Sequence, residues 1–260
     1  MPEFLELDGS APVGRLTLNR PDRLNALGRE ALEELIEAAA WFDQRTEVKV
    51  VLVGGAGRSF CAGFDLNEFL ASADPAETRE TADRGRVMAD AIAGMRALTI
   101  AAIHGHCVGG GLVLAAACDL RLADSDTVFS IPEVDLGIPF AWGGIPRLVR
   151  EIGPALTKEL VLTCRPFGAE EARAAGFLNR VTAPDELGRE AEEMARTLAS
   201  KSRLTLTSTK RQVNAVMDAI APTQSAMADA DALLSATRDP ESKRAGESYL
   251  ERRTGRSRSA

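Results

Sequence analysis

The chain has 260 residues, of which 45% are apolar and 27% charged, and a formal net charge of −7. That length suffices for one large domain or a domain with a small appendage, and the acidic balance argues against general nucleic-acid binding. No apolar tract reaches the roughly eighteen residues of a membrane span, and Met1 to Asp8 carries no basic, then apolar, leader pattern, so a cytoplasmic protein is expected. Cys61, Cys107, Cys118 and Cys164 show no CxxC spacing, and His104 and His106 complete the histidines. Buried reduced thiols are therefore expected, with no metal site and no disulfide framework.

Phe4–Leu7 and Val13–Asn19 alternate as paired strands do, with Gly9 and Pro12 near the turn between them. Leu27 to Phe42 sets Leu32, Leu35, Ile36 and Ala39 at helical spacing and Glu30, Glu33, Glu34 and Glu37 elsewhere on the wheel. Val48–Val53 is nearly all apolar, as a strand covered on both faces should be. A glycine-punctuated loop from Gly54 to Gly63 precedes a helix over Glu77–Leu98, which begins after the Asp74–Pro75 break. Ile100–Ile103 reads as a buried strand, Gly110–Cys118 as a small-residue helix, and Leu120–Leu122 and Thr127–Ser130 as short strands. From Gly143 the pattern is helical, apart from a strand at Asn179–Val181, and past Leu198 it is helical only. This order predicts an α/β core over residues 1–198 and a helical C-terminal region over 199–260 that acts as a lid or oligomerisation arm. Lys243 to Ala260 holds six basic residues, among them Arg256 and Arg258, against two acidic ones. Its net +4 leaves −11 for the rest and reads as a solvated, frayed terminus.

Two glycine turns share one physical plan. Phe60-Cys61-Ala62-Gly63-Phe64-Asp65-Leu66 and Gly105-His106-Cys107-Val108-Gly109-Gly110-Gly111 each follow a strand and precede a helix. Glycine admits positive φ and close approach of a ligand, and a helix start leaves backbone N–H groups unpaired. Side by side, two such turns supply two donors for one oxygen. Either turn alone would read as tight packing, and neither matches a dinucleotide or Walker fingerprint.

Several ordered motifs resemble those of the crotonase, or enoyl-CoA hydratase/isomerase, family. Leu18-Asn19-Arg20-Pro21-Asp22-Arg23-Leu24-Asn25-Ala26-Leu27 is similar to its opening motif, Phe60 to Leu66 to its AGxD turn and Ala101 to Gly111 to its AAxxGxxxGGG turn. Pro132-Glu133, Leu136-Gly137, Gly143-Gly144 and Arg147-Leu148 resemble the next block, and the likeness continues through Ala169–Gly176. The resemblance implies a spiral of ββα units with C-terminal helices, usually a trimer or pair of trimers, acting on an acyl-CoA with no further cofactor. It implies that Phe64 and Gly110 donate their amides to a thioester oxygen, where loss of one donor typically costs roughly 3 kcal/mol of barrier. It implies coenzyme A contacts from Arg23, Leu24, Ala26, Ala62, Asp65 and Leu66, with Arg23 as phosphate partner. An exposed surface arginine and a helix-capping Asp65 are the competing readings.

The family's hydratases use two glutamates, one of which activates water. The resemblance maps one onto Glu133, whose apolar neighbours should raise its pKa, and the other onto Val113, which cannot orient or deprotonate water. Asp135 replaces the missing carboxylate only if Glu133–Asp135 is extended, so that both side chains share a face. The family's dienoyl isomerases carry aspartates where Val113 and Ala141 stand, so that subclass is disfavoured. Phe140 and Trp142 replace a small glycine-rich turn, and either dry and shape an acyl tunnel or pack structurally. A double-bond shift with Glu133 as sole proton carrier is the first expectation. Hydration of 2-enoyl-CoA with an atypical water site, a specialised reaction on a non-fatty acyl-CoA and a non-catalytic CoA-ester binder are the alternatives. An RNA-binding role is opposed by the acidic first helix, and His104 and His106 are expected to serve packing or a backbone hydrogen bond.

Overall fold

Burial on both faces is what an unbroken run such as Val50-Val51-Leu52-Val53 requires, and all four side chains are buried in the computed structural model. The structure describes residues 2–71 and 74–254. The central sheet has the order β1-β2-β3-β4-β6-β9, formed by β1 (Leu5–Asp8), β2 (Val13–Leu18), β3 (Val50–Gly55), β4 (Leu98–Ile103), β6 (Leu120–Asp124) and β9 (Arg180–Thr182). β1 pairs antiparallel with β2, and the other neighbours are parallel, with Leu16 opposite Val53 and Val53 opposite Ala101. A second sheet joins β5 (His106–Val108), β7 (Val128–Ser130) and β8 (Phe167–Gly168) in the order β5-β7-β8.

Helices α1 (Arg29–Asp43), α3 (Pro75–Gly94) and α4 (Gly110–Ala117) bury one face of the central sheet, while α7 (Leu187–Ala199) covers the other through Leu187, Ala191, Ala195 and Ala199. Between them run α2 (Leu66–Ala71), α5 (Gly144–Thr163) and α6 (Ala169–Ala174). The chain then ends in α8 (Arg203–Ile220), α9 (Asp229–Arg238) and α10 (Pro240–Thr254). The sequence β4–β5–α4 shows the repeating plan of strand, short strand and helix, and the expected crotonase-like α/β spiral with a helical end is what the chain adopts.

Local chemistry sets the element ends. Asp74 accepts the Ala76 N–H and Pro75 opens α3, as the expected break required. The expected helix over Glu77–Leu98 therefore begins two residues earlier, and it stops at Gly94 because Leu98 already belongs to β4. α1 has Gly28 at its start and no cap of its own; Glu68 of α2 supplies the carboxylate, accepting the Arg29 N–H at 2.9 Å. The supposedly frayed basic tail is partly helical, since Lys243, Arg244 and Arg252 stand on α10. Arg256 and Arg258 lie outside the described residues.

Candidate active site

The two glycine turns are zipped together by backbone. The Cys61 N–H donates to the His106 carbonyl at 3.0 Å, and the Val108 N–H donates back to the Cys61 carbonyl at 3.0 Å. Gly63 has φ +89°, and a Cβ there would meet the Val108 carbonyl oxygen at 2.8 Å and the Gly110 nitrogen at 3.5 Å. Only glycine fits that crossing. The neighbouring residue, Phe64, is held against Leu27: the Leu27 N–H donates to the Gly63 carbonyl at 2.8 Å and the Asp65 N–H to the Leu27 carbonyl at 2.9 Å. The Phe64 amide stands between these bonds. Gly110 opens α4, where first-turn amides have no intrahelical acceptor. Among the described residues neither the Phe64 nor the Gly110 N–H donates to a protein acceptor.

A carboxylate stands beside them. Glu133 sits in a turn closed by Leu136 N–H to the Pro132 carbonyl, Gly137 N–H to Val134 and Ile138 N–H to Glu133 itself. Because this segment turns rather than extends, Asp135 is exposed and does not line the pocket, which answers the question of a substitute carboxylate. Glu133 Oε1 occupies the space a side chain at Gly109 would need, since a Cβ there would come within 2.3 Å of it. The residue as a whole is partly exposed, yet Oε2 is enclosed and has no hydrogen-bond partner. Burial pushes the carboxyl up to about 8, opposed in part by a hydrogen bond from its own backbone N–H.

Phe64, Gly110, Val113, Glu133, Phe140 and Trp142 all line one pocket of about 80 Å³. Phe69 of α2, Ala82 of α3, Ile138, Pro139, Ala141 and Leu233 of α9 complete its apolar walls, with Arg29, Glu68, Thr78 and Thr81 also on the lining. Two unpaired amides beside a proton-hungry carboxylate in an apolar pocket can stabilise an anionic oxygen and move a proton.

The chain matches the model of the enoyl-CoA hydratase/isomerase family over residues 8–257. It belongs to that family. A crotonyl-CoA hydratase of Syntrophomonas wolfei is 35% identical over 253 residues, which is 96% of each chain. A peroxisomal Delta(3,5)-Delta(2,4)-dienoyl-CoA isomerase of Arabidopsis thaliana is 36% identical over 80% of this chain and 79% of its own. The crystal structure of an enoyl-CoA hydratase/isomerase from Xanthobacter autotrophicus Py2 superposes with a TM-score of 0.88 at 30% identity, over 98% of this chain and 95% of that one.

Within this enoyl-CoA hydratase/isomerase chain, Arg23, Leu24, Ala26, Ala62, Asp65 and Leu66 lie off the pocket. Arg23 is exposed. Asp65 caps α2, accepting the Asn67 N–H at 3.0 Å, and receives Arg20 at 3.4 Å. Arg20, not singled out from the sequence, ties the opening motif together: it donates to the Ala26 carbonyl and lies over the Phe4 ring. His104 faces the Gly57 carbonyl at 3.0 Å, and neither histidine lines the pocket. The wall residues Ala82 and Leu233 carried no motif; their signal lay in α3 and α9 packing together, which no local pattern encodes.

Proposed function

We propose that this chain shifts the double bond of an enoyl-CoA between the 3- and 2-positions, with Glu133 as the single proton carrier. The observation that carries the reading is that Val113, 1% exposed, lines the pocket where a second carboxylate would be needed to activate water. The Glu133 carboxylate takes the proton from carbon 2 of a 3-enoyl thioester. The charge moves to the thioester oxygen, which the Phe64 and Gly110 amides hold, and the proton returns at carbon 4. No atom is added or lost. The apolar lining strengthens those amide contacts by excluding water.

The coenzyme A moiety would lie along the opening motif and the AGxD turn, with exposed Arg23 meeting a phosphate and Leu24, Ala26, Ala62 and Leu66 beside it. The exposed Val213, Val216 and Ile220 of α8 support assembly with further copies of the chain, a trimer or pair of trimers.

Hydration of a 2-enoyl-CoA is the second reading, favoured by relatives such as the crotonyl-CoA hydratase. Incubation with 3-enoyl-CoA and 2-enoyl-CoA separately in deuterated water separates the two. Isomerisation with little deuterium entering the product, since Glu133 returns the proton it took, and no hydroxyacyl-CoA is expected, and Glu133→Gln should lower kcat by about 10²–10⁴-fold. Vigorous hydration by the unmodified protein would reverse the ranking. Val113→Glu should gain measurable hydration.

A further inference from the structure

The most unusual backbone beside the pocket is at Trp142 and Gly143, where two successive residues have positive φ, +61° and +70°. Trp142 is not a residue type that adopts this region without cost, and the surroundings hold it there. Arg147, 3% exposed, donates from Nη1 to the Gly143 carbonyl at 3.1 Å and the Trp142 carbonyl at 3.4 Å. Its Nη2 donates to Asp90 of α3 at 2.7 Å. From the other side, Asp229 of α9 accepts the Gly143 N–H at 2.9 Å. The loop is clamped to three helices, which fixes the Trp142 backbone, and the ring itself is held by the walls it packs between.

The clamp delivers the ring to one place. A Cβ on Gly110 would come within 2.4 Å of the Trp142 ring, and a Cβ on Gly85 within 2.2 Å of it. The indole is therefore wedged between α3 and α4 in a slot made by two glycines. Gly85 lies in the middle of α3, where glycine is unfavourable, and the ring explains it. The ring also meets Phe64 edge-on, with centroids 5.8 Å apart at 83°. Trp142 thus touches both residues whose amides flank the site, and the space left to an acyl group is about 80 Å³. The pocket is part-open, and its room is about half that of the roughly 150 Å³ enclosed cavity that admits a benzene ring, so the space closed off by the Trp142 ring suits only a short acyl group.

We infer that Trp142 is the specificity-determining residue of this pocket and limits the substrate to thioesters of short acyl chains. This rests on the acyl-CoA reading above, since it assumes that the acyl group enters past Phe64 and Gly110. Arg147, Asp90 and Asp229 are positioning residues that act through the Trp142 backbone.

The test measures kcat/KM for enoyl-CoA thioesters of four, six, eight and ten carbons, and in parallel the binding of saturated acyl-CoA of the same lengths by titration calorimetry. The unmodified protein should prefer the four-carbon over the ten-carbon thioester by at least about tenfold in both, and Trp142→Ala should reverse that order. Trp142→Phe removes the outer ring while keeping an aromatic edge for Phe64, and should give an intermediate profile even if the alanine variant does not fold. A flat or long-chain-favouring profile in the unmodified protein, or variants that fold and keep its profile, would overturn the inference. Absence of turnover on every enoyl-CoA, with short saturated chains still bound more tightly, would overturn the proposed reaction and support the length limit.

Discussion

Glu133 carries two demands that pull in opposite directions. Its carboxyl is enclosed, so burial raises its pKa from the ordinary 4.5 to about 8, yet as the proposed base it would have to be ionised to begin a turnover. Activity should therefore rise with pH and level off above about 8, a dependence that kcat/KM for 3-enoyl-CoA between pH 6 and 9.5 reads directly. The same shift has a cost in stability with a definite sign. The folded protein holds this proton more tightly than the unfolded chain, so stability falls as pH rises from about 4.5 to about 8 and is flat in this respect outside that window. A glutamine cannot ionise. Glu133→Gln should match the unmodified protein in Tm near pH 5 and exceed it by a margin that grows to about pH 8 and then holds, measured by thermal melts from pH 5 to 9. A Tm difference independent of pH would mean that the carboxyl is more solvated than its enclosure implies.

At the scale of elements, the site is a crossing of two strand-to-helix turns, and its precision depends on positions where a side chain has no room. Gly109 is the sharpest case: φ is +49° and a Cβ would press to 2.3 Å of Glu133 Oε1. Gly109→Ala should displace the carboxylate, and a shift of about 1 Å at a reacting group is worth about 10²-fold in rate. We expect kcat to fall by that order and the melting temperature to drop as well, because alanine is strained at φ +49° even where the flexible end of Glu133 gives way. The two glycine turns, their neighbouring strands and the helix after each were legible in the sequence, since each is marked by local composition. The three-residue β5 and two-residue β8 were not, because so few residues carry no periodicity. The geometry of Glu133 was legible only in part. Its identity and raised pKa followed from a motif and its neighbours, whereas the turn that parts it from Asp135 depends on backbone bonds from Leu136, Gly137 and Ile138. Trp142 was recognised as bulky and out of pattern, but its partner Gly85 lies 57 positions earlier on another helix, a pairing that no local signal reveals.

Across the whole molecule, the question is what holds the helical C-terminal region to the α/β core, since the pocket borrows Leu233 from α9. The outer face of α8 is exposed, with Val216 and Ile220 open to solvent, so little apolar packing anchors that side. The inner face buries Lys210. Its Nζ donates to the Ala97 carbonyl at 3.0 Å and to Asp119 Oδ2 at 2.8 Å, and that same oxygen accepts from the Thr99 N–H at 2.7 Å. The pair thus ties α8 to the start of β4 and to the short link between α4 and β6. An enclosed ion pair adds little over an apolar replacement of both partners, but removal of one partner leaves the other charged and poorly solvated, typically at about 3–5 kcal/mol. Asp119 retains some solvent contact, with 15% of its side chain accessible, so the lower end applies. Lys210→Met, which keeps the aliphatic stem, should lower stability in urea unfolding by about 3 kcal/mol and expose α8 amides to hydrogen exchange before those of β3 and β4. Adding Asp119→Asn should restore part of that loss, because the stranded charge is gone. If Lys210→Met alone is neutral, or the second substitution makes matters additively worse, the attachment lies in the other α8 contacts and not in this ion pair.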